Sequence, residues 1–411
     1  MTSTVDSAQR GTLEPRALRR VVTALCLTEI VSYGILYYAF TVLNASIVSD
    51  TGWPLVVTTL AFSIGQVIGA VGGIAVGRII DRHGPRVVMT AGSTLAVPAL
   101  VLIALAPTSI WFVAAWSLAG VAMSAVFYTP AFSAITHWGG VRALSGLTTV
   151  TLVAGFASTV FGPLSAQLDE AIGWRGTFLV LAGVFAVLTI PTHWFGLRGE
   201  WIPSPHPIDA DGPANATAPG REFVILAVAL SLATLAEYGA LVQLVPLLVS
   251  RGLDTSQAAL VLGVGGAGQV VGRVFYRGLA AATSVVTRTV AILLLVGLTT
   301  ALFPVVPAHM WLLLIVTVLA GIAVACRSVT RPRAIPDRWG ASRIGRRNGL
   351  LAAPVMMTAA AAPFVAALIL EWTSPTAVFL LLAVVAGVAA FLVPLTMPHR
   401  VQPLADSTTP T

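Results

Sequence analysis

The chain has 411 residues, 57% of them hydrophobic and only 9% charged, with a formal net charge of +7 and a mean hydropathy of +0.90. Soluble domains carry roughly 25% charged residues, whereas apolar runs of about 18 or more residues are long enough to cross a bilayer as helices. The composition excludes an ordinary soluble domain and points to an all-α membrane protein, and the positive charge reads as topology and contact with anionic lipid rather than as nucleic-acid binding.

Arg10, Arg16, Arg19 and Arg20 precede the first apolar run, which is too long for a signal-peptide core and has no A-x-A-like site after it, so it is expected to be retained. Windows of about 20 residues predict spans near 21–43, 55–77, 87–106, 111–134, 147–168, 176–195, 223–248, 257–280, 289–306, 311–330, 349–370 and 376–397. They are too long and too uniformly apolar for the alternating strands of about 10 residues found in membrane barrels. Of the 23 arginines, only Arg175 and Arg251 fall in the connections near 44–54, 107–110, 169–175, 249–256, 307–310 and 371–375. The positive-inside rule then places both termini in the cytoplasm, with the chain in a bacterial inner membrane.

Residues 196–222, GLRGEWIPSPHPIDADGPANATAPGRE, contain five prolines and no hydrophobic period, and read as a flexible cytoplasmic linker. The expected organisation is a tail over 1–20, a six-helix half over 21–195, the linker over 196–222, a second half over 223–397 and a tail over 398–411. The halves echo each other. Trp111, Leu118-Ala119-Gly120, Trp138-Gly139, Arg142 and Pro163 recur as Trp311, Leu319-Ala320-Gly321, Trp339-Gly340, Arg343 and Pro363, and GQVIGAVGG (65–73) recurs as GQVVGRVFY (268–276). Paired repeats of this kind build a binding cavity between them.

In the second span Gly65, Gly69, Gly73 and Gly77 recur every fourth residue and form a flat face that lets helices approach and slide. The span ends in GRIIDRHGPR (77–86), where Gly84-Pro85 predicts a tight turn and Asp81 is placed to pair with an arginine or a helix N-terminus. The stretch Gly263-Val264-Gly265-Gly266-Ala267-Gly268 satisfies G-x-G-x-x-G, but it lies inside a span with no preceding strand, which argues against nucleotide binding. The chain has no lysine, so it has no Walker A lysine and no Schiff base. With no metal-ligand spacing and no nucleophile elbow, neither an enzyme nor a cofactor is expected, and Cys26 and Cys326 read as free thiols.

Three ionisable side chains stand out inside the spans: Glu29, Glu237 and Arg273. Such groups are costly in lipid and mark pathways for ions or solutes. Around them, Glu29, Tyr33, Tyr37, Thr41 and Asn44 form a polar stripe on the first span, Gln269, Arg273 and Tyr276 share a face of the eighth, and Thr148, Thr151, Gly155, Ser158 and Gly162 share one of the fifth. Arg273 stands where the first half has Ala70. Tyr33, Tyr37, Asn44, Gln269, Arg273 and Tyr276 are therefore the expected substrate ligands, with Glu29 and Glu237 carrying protons.

Gly77, Asp81, Arg82, Gly84 and Arg86 match G-x-x-x-D-R-x-G-x-R, and with twelve spans and the half-repeat the chain resembles the major facilitator superfamily of secondary transporters. The resemblance implies two pseudo-symmetric six-helix halves, alternating access driven by an ion or solute gradient, a functional monomer, and a gating loop at these residues and Arg142 that latches the halves together on the inner side. Ser32-Tyr33-Gly34, Trp53, Arg86-Val87-Val88-Met89 and Arg273 resemble the monocarboxylate porter and oxalate/formate exchanger branch, which implies a carboxylate gripped by Arg273 and proton coupling. Two positions depart from that branch: Tyr37 stands where several porters have lysine, and Gln269 where an aspartate precedes the arginine by four. Phe161-Gly162-Pro163 partly matches the motif of efflux antiporters, the alternative reading, and a non-transporting membrane sensor is a further one.

Overall fold

The computed structural model describes residues 12–202, 220–335, 338 and 344–397. Among them there is no strand, as their apolar, lipid-length runs require: in hydrocarbon a backbone satisfies its own polar groups within a helix. Ten helical runs are long and apolar enough to cross a membrane, and one of them, Ser109–Gly196, spans 88 residues. That run turns at Gly140–Arg142 and again at Gly173 (φ 69°), which makes three crossings of it and twelve in all among the described residues.

We label the crossings α1 Pro15–Thr51, α2 Leu55–His83, α3 Pro85–Ala104, α4 109–139, α5 143–172 and α6 173–196. The second half comprises α7 Arg221–Ser250, α8 Thr255–Ala282, α9 Val285–Val305, α10 Met310–Arg333, α11 Ile344–Glu371 and α12 Pro375–Leu392. An even number of crossings leaves both chain ends and the α6–α7 connection on one face, the terminal face; the opposite face is the distal one. Nine predicted spans sit inside these helices, while those near 87–106, 289–306 and 376–397 overrun the ends of α3, α9 and α12 at Ala104, Val305 and Leu392. At the start of the expected linker, Trp138 donates from its indole to the Glu200 carbonyl (3.0 Å) and Trp201 to the Asp81 carbonyl (3.1 Å), which holds residues 197–202 on the first half.

The repeat in sequence is a repeat in packing. In the first half α2 lies along α4 and α3 along α6; in the second α8 lies along α10 and α9 along α12. The contact between halves is also twofold, α5 on α8 and α2 on α11, with the distal part of α1 meeting α7. Glycine sets the closest approaches. A Cβ added at Gly120 would lie 2.3 Å from the Gly65 carbonyl oxygen, and one at Gly321 2.2 Å from that of Gly265, so the echoed Leu-Ala-Gly motifs mark equivalent helix pairs. The glycine face of α2 therefore packs within its own half, at Gly65 and Gly69 against α4, rather than forming a sliding surface between halves; at Gly77 no atom comes within 4 Å.

The G-x-G-x-x-G stretch resolves into two packing faces of α8. A Cβ at Gly266 would lie 2.5 Å from the Gly155 carbonyl oxygen on α5, and one at Gly268 2.5 Å from the Val318 carbonyl oxygen on α10. On the distal face Arg175 donates to the carbonyls of Ala104 (2.7 Å) and Ala106 (3.0 Å) at the end of α3, and Arg251 donates to those of Phe303 and Val306 at the end of α9. Each guanidinium satisfies the carbonyls that a helix C-terminus leaves open and sits at the negative end of its dipole. The two arginines that depart from the positive-inside pattern are thus helix caps.

Alanine at Gly120 or Gly321 forces the paired helices apart, at about 1–3 kcal/mol each for overpacking. Alanine at Gly183, whose added Cβ meets nothing within 4 Å, is neutral or stabilising by up to about 1 kcal/mol. Thermal unfolding of the three purified variants in one detergent checks the contrast.

Candidate functional site

The middle of the bundle is built around a break in α1. Residues Gly34–Tyr38 form a π-turn between the α-helical stretches Pro15–Tyr33 and Ala39–Thr51. Gly34 allows it, since a Cβ there would lie 2.1 Å from the Phe161 ring on α5. A π-turn inserts one residue into the helical register, and such turns occur often at functional sites. The insertion turns both Tyr37 and Tyr38 inward. Tyr37 is buried, edge-on to Phe62 (5.2 Å between centroids) and Tyr238 (6.2 Å), while Tyr38 hydrogen-bonds Gln269 on α8. A constant α-helical period assigns the stripe to Tyr37 alone, which is why Tyr38 was not anticipated.

Immediately before this turn, Tyr33 stacks on Phe127 of α4 (4.2 Å, planes 9° apart) and packs on Tyr128 (4.7 Å). Extended backbone at Phe127 (ψ −171°) breaks α4 here and lets two consecutive aromatic rings face α1. One turn earlier in α1, Glu29 is fully buried and neither carboxylate oxygen has a hydrogen-bond partner. Asn44, near the distal end of the stripe, is 1% exposed with its carbonyl oxygen also unpartnered.

Arg273 reaches this region from α8. Its guanidinium lies over Gly155 of α5, where a Cβ would stand 2.6 Å from Nη1, so the fork occupies the space of a missing side chain. Nη2 donates to the Gln269 amide oxygen at 3.5 Å, and buried Nε and Nη1 have no partner. Tyr38 and Tyr128 are the phenols that interact with its charge, and Tyr128 interacts with Glu29 as well. The structure thus brings together Glu29, Tyr33, Tyr37, Gln269 and Arg273. Tyr276 is not with them: its hydroxyl bonds Thr330 of α10 (3.1 Å) and its ring is buried with Ile292 and Cys326. Helical spacing gives Tyr276 nearly the same direction as Gln269, but it stands about 10 Å further along α8, where α10 covers it. Thr148 is exposed, whereas Gly155, Ser158 and Gly162 of the predicted α5 face lie against α8.

Glu237 has a partner that the sequence analysis did not single out. Arg327 of α10 forms a buried ion pair with it and donates to Thr234 (3.0 Å), while Tyr238 and Arg331 lie within electrostatic range. The pair joins α7 to α10, and protonating Glu237 would strand a buried guanidinium; the expected proton carrier thus has a structural engagement. A charged residue well inside the tenth run was the available signal.

The halves are joined on the distal side of Arg273. Thr159 donates to the Gly263 carbonyl (2.6 Å) and Ser256 to the Glu170 carboxylate (2.6 Å). At the terminal face, Gly84 (φ 77°, ψ 167°) makes the predicted turn, its face covered by the Trp201 ring. Arg86 donates to the Trp194 carbonyl (2.9 Å) and lies over that indole, 4.0 Å from its centroid. Asp81, Arg82 and Arg142 are exposed and Gly77 is half-buried. Among the described residues, the contacts of the expected gating loop named here are to its own half, through Trp194 and Trp201. Arg343, the echo of Arg142, lies outside the described residues.

The sequence matches the Major Facilitator Superfamily over residues 25–298 and 281–409. The chain belongs to that superfamily. It is a multi-pass membrane transporter, not an enzyme. No curated protein matches it. Among solved structures, a bacterial homolog of the human lysosomal transporter Spinster, in an inward-facing and occupied conformation, shares the fold with a TM-score of 0.64 and 15% identity, over 92% of this chain and 96% of that one. A mutant of the nucleoside transporter NupG shares it with a TM-score of 0.74 and 13% identity, over 92% of this chain and 100% of that one.

Removing one partner of the buried pair has a defined cost. Glu237→Gln leaves Arg327 unpaired and destabilises the protein by roughly 3–5 kcal/mol, whereas Glu237→Leu combined with Arg327→Met recovers most of the loss. Thermal unfolding of the single and double variants measures the coupling; additive losses would show that the two residues act apart.

Proposed function

We propose that this chain is a secondary active transporter that moves a small organic anion of the monocarboxylate type by alternating access, coupled to protons. The observation that carries this reading is the guanidinium of Arg273, set mid-bundle between the halves with Nε and Nη1 unpartnered. Nη2, engaged only by the 3.5 Å bond to Gln269, has a second N–H, so that Nη2 together with Nε or Nη1 offers an edge that matches a carboxylate bidentately. Family membership supports transport, and the distal junctions supply a gate that separates as α5 and α8 rock.

Glu29 is the proton carrier in this scheme. Among the described residues its carboxylate has no hydrogen-bond partner, so its charge is free to change by proton exchange as the cavity alternates between the two faces. Tyr128 interacts with both Glu29 and Arg273, so proton and anion sites share a neighbour. The chain works as a monomer in a bacterial inner membrane, with both termini and the 196–222 linker cytoplasmic.

Arg273→Ala lowers anion affinity by about a hundredfold or more, the loss expected for one partner of a desolvated charged pair, and Arg273→Lys recovers only part of it. Uptake in proteoliposomes from a panel of carboxylates, with membrane insertion checked for each variant, reads this out. Near wild-type anion transport by Arg273→Ala would move the efflux antiporter reading ahead.

Glu29→Gln keeps substrate binding and counterflow but loses accumulation driven by an imposed pH gradient. Unchanged accumulation would place coupling elsewhere. Reporter fusions at Pro205 and Thr411 test the orientation, with activity expected only from reporters that work in the cytoplasm.

A further inference from the structure

The chain has six tyrosines, and five of them, Tyr33, Tyr37, Tyr38, Tyr128 and Tyr238, come from three separate helices to form one group of rings, of which Tyr38 and Tyr128 lie within electrostatic range of Arg273. A random scatter over twelve crossings does not do this, and neither does the usual placement of tyrosine in a membrane protein, at the two water interfaces. Tyr37 is buried, but Tyr33, Tyr38, Tyr128 and Tyr238 each keep part of their surface open although helices surround them.

The polar groups there are few. Gln269 is engaged by Tyr38 and Arg273, and Glu237 by Arg327, which leaves the Arg273 fork, the Glu29 carboxyl on the side of Tyr128, and ring faces and edges between them. A short aliphatic acid would bond the fork and leave the rings wet. A flat unsaturated ring bearing the carboxylate would stack on them or meet them edge-on, and each favourable ring pair contributes about two- to twelvefold in affinity beyond area burial.

Resting on the anion-site reading above, we propose that the substrate is an aromatic carboxylate, its carboxylate held by Arg273 and its ring packed against Tyr33, Tyr38, Tyr128 and Tyr238. Its ring plane distinguishes it from the saturated acid of the same size. Tyr128 discriminates most directly, because it lies next to Arg273 and continues the Tyr33–Phe127 stack.

The test is calorimetric titration of the purified full-length protein in lipid nanodiscs with benzoate, cyclohexanecarboxylate and lactate. The expected result is benzoate binding about tenfold tighter than cyclohexanecarboxylate, with lactate weaker than both. Tyr128→Leu brings the benzoate-to-cyclohexanecarboxylate ratio to about one while cyclohexanecarboxylate still binds, and Tyr128→Phe retains the ratio; Tyr238→Leu serves as a second probe should Tyr128→Leu fold poorly. Arg273→Ala weakens all three acids alike. Equal affinities for the two ring acids in the wild type, or a ratio unchanged by both leucine variants, overturn the aromatic assignment and leave the anion site standing. Binding of none of the three acids overturns the anion-site reading and this proposal together.

Discussion

Backbone approaching backbone is the contact on which the rest of this structure depends. In lipid, apolar side chains gain little by leaving their surroundings, so helices associate through close packing rather than through a hydrophobic effect. Gly120 on Gly65, Gly321 on Gly265 and Gly266 on Gly155 bring carbonyl oxygens to within distances that any side chain would block. Two of these contacts assemble the halves and the third joins them. The same glycine content makes both a rigid half and a separable junction, because the first two lie between helices of one repeat and the third between helices of different repeats.

That third contact also sets the charge at the centre. Arg273 lies over Gly155, next to the crossing of α5 and α8, so its guanidinium is carried on one half and rests on the other. Any rocking of the halves changes what surrounds it. Glu29 on α1 and the phenol of Tyr128 on α4 belong to the first half, and Gln269 and Tyr238 to the second, so the centre is shared between two bodies rather than contained in either. The Glu237–Arg327 pair differs in kind: both members belong to the second half and tie α7 to α10, an arrangement suited to keeping one body intact while it moves.

At the terminal face the signature loop is bound by aromatic residues of its own half. Trp201 covers the Gly84 turn, stacks on His137 at 3.9 Å and donates to the Asp81 carbonyl, while Arg86 lies on Trp194. The first residues after α6 are therefore part of the loop's setting, although their proline-rich continuation reads as linker.

The sequence by itself determined the number of crossings, the halves, the turn at Gly84-Pro85 and the isolation of Glu29 and Arg273, because hydropathy, glycine spacing and buried charge are local or periodic properties. It also placed Gly155, Ser158 and Gly162 on one face, since helical spacing suffices for that. Which helix a face meets was not legible: the glycines of α2 turned inward to α4, and Tyr276 turned to α10 instead of joining Gln269. Tyr38 entered the site only because a π-turn shifts the register of α1, and Tyr128 because α4 breaks at Phe127, both backbone adjustments that a constant period does not contain. Arg327 was visible as a charge in the tenth run, but its role came from Glu237, 90 residues earlier. Pairings at that separation are decided when the helices pack, since only packing sets which buried charge meets its opposite.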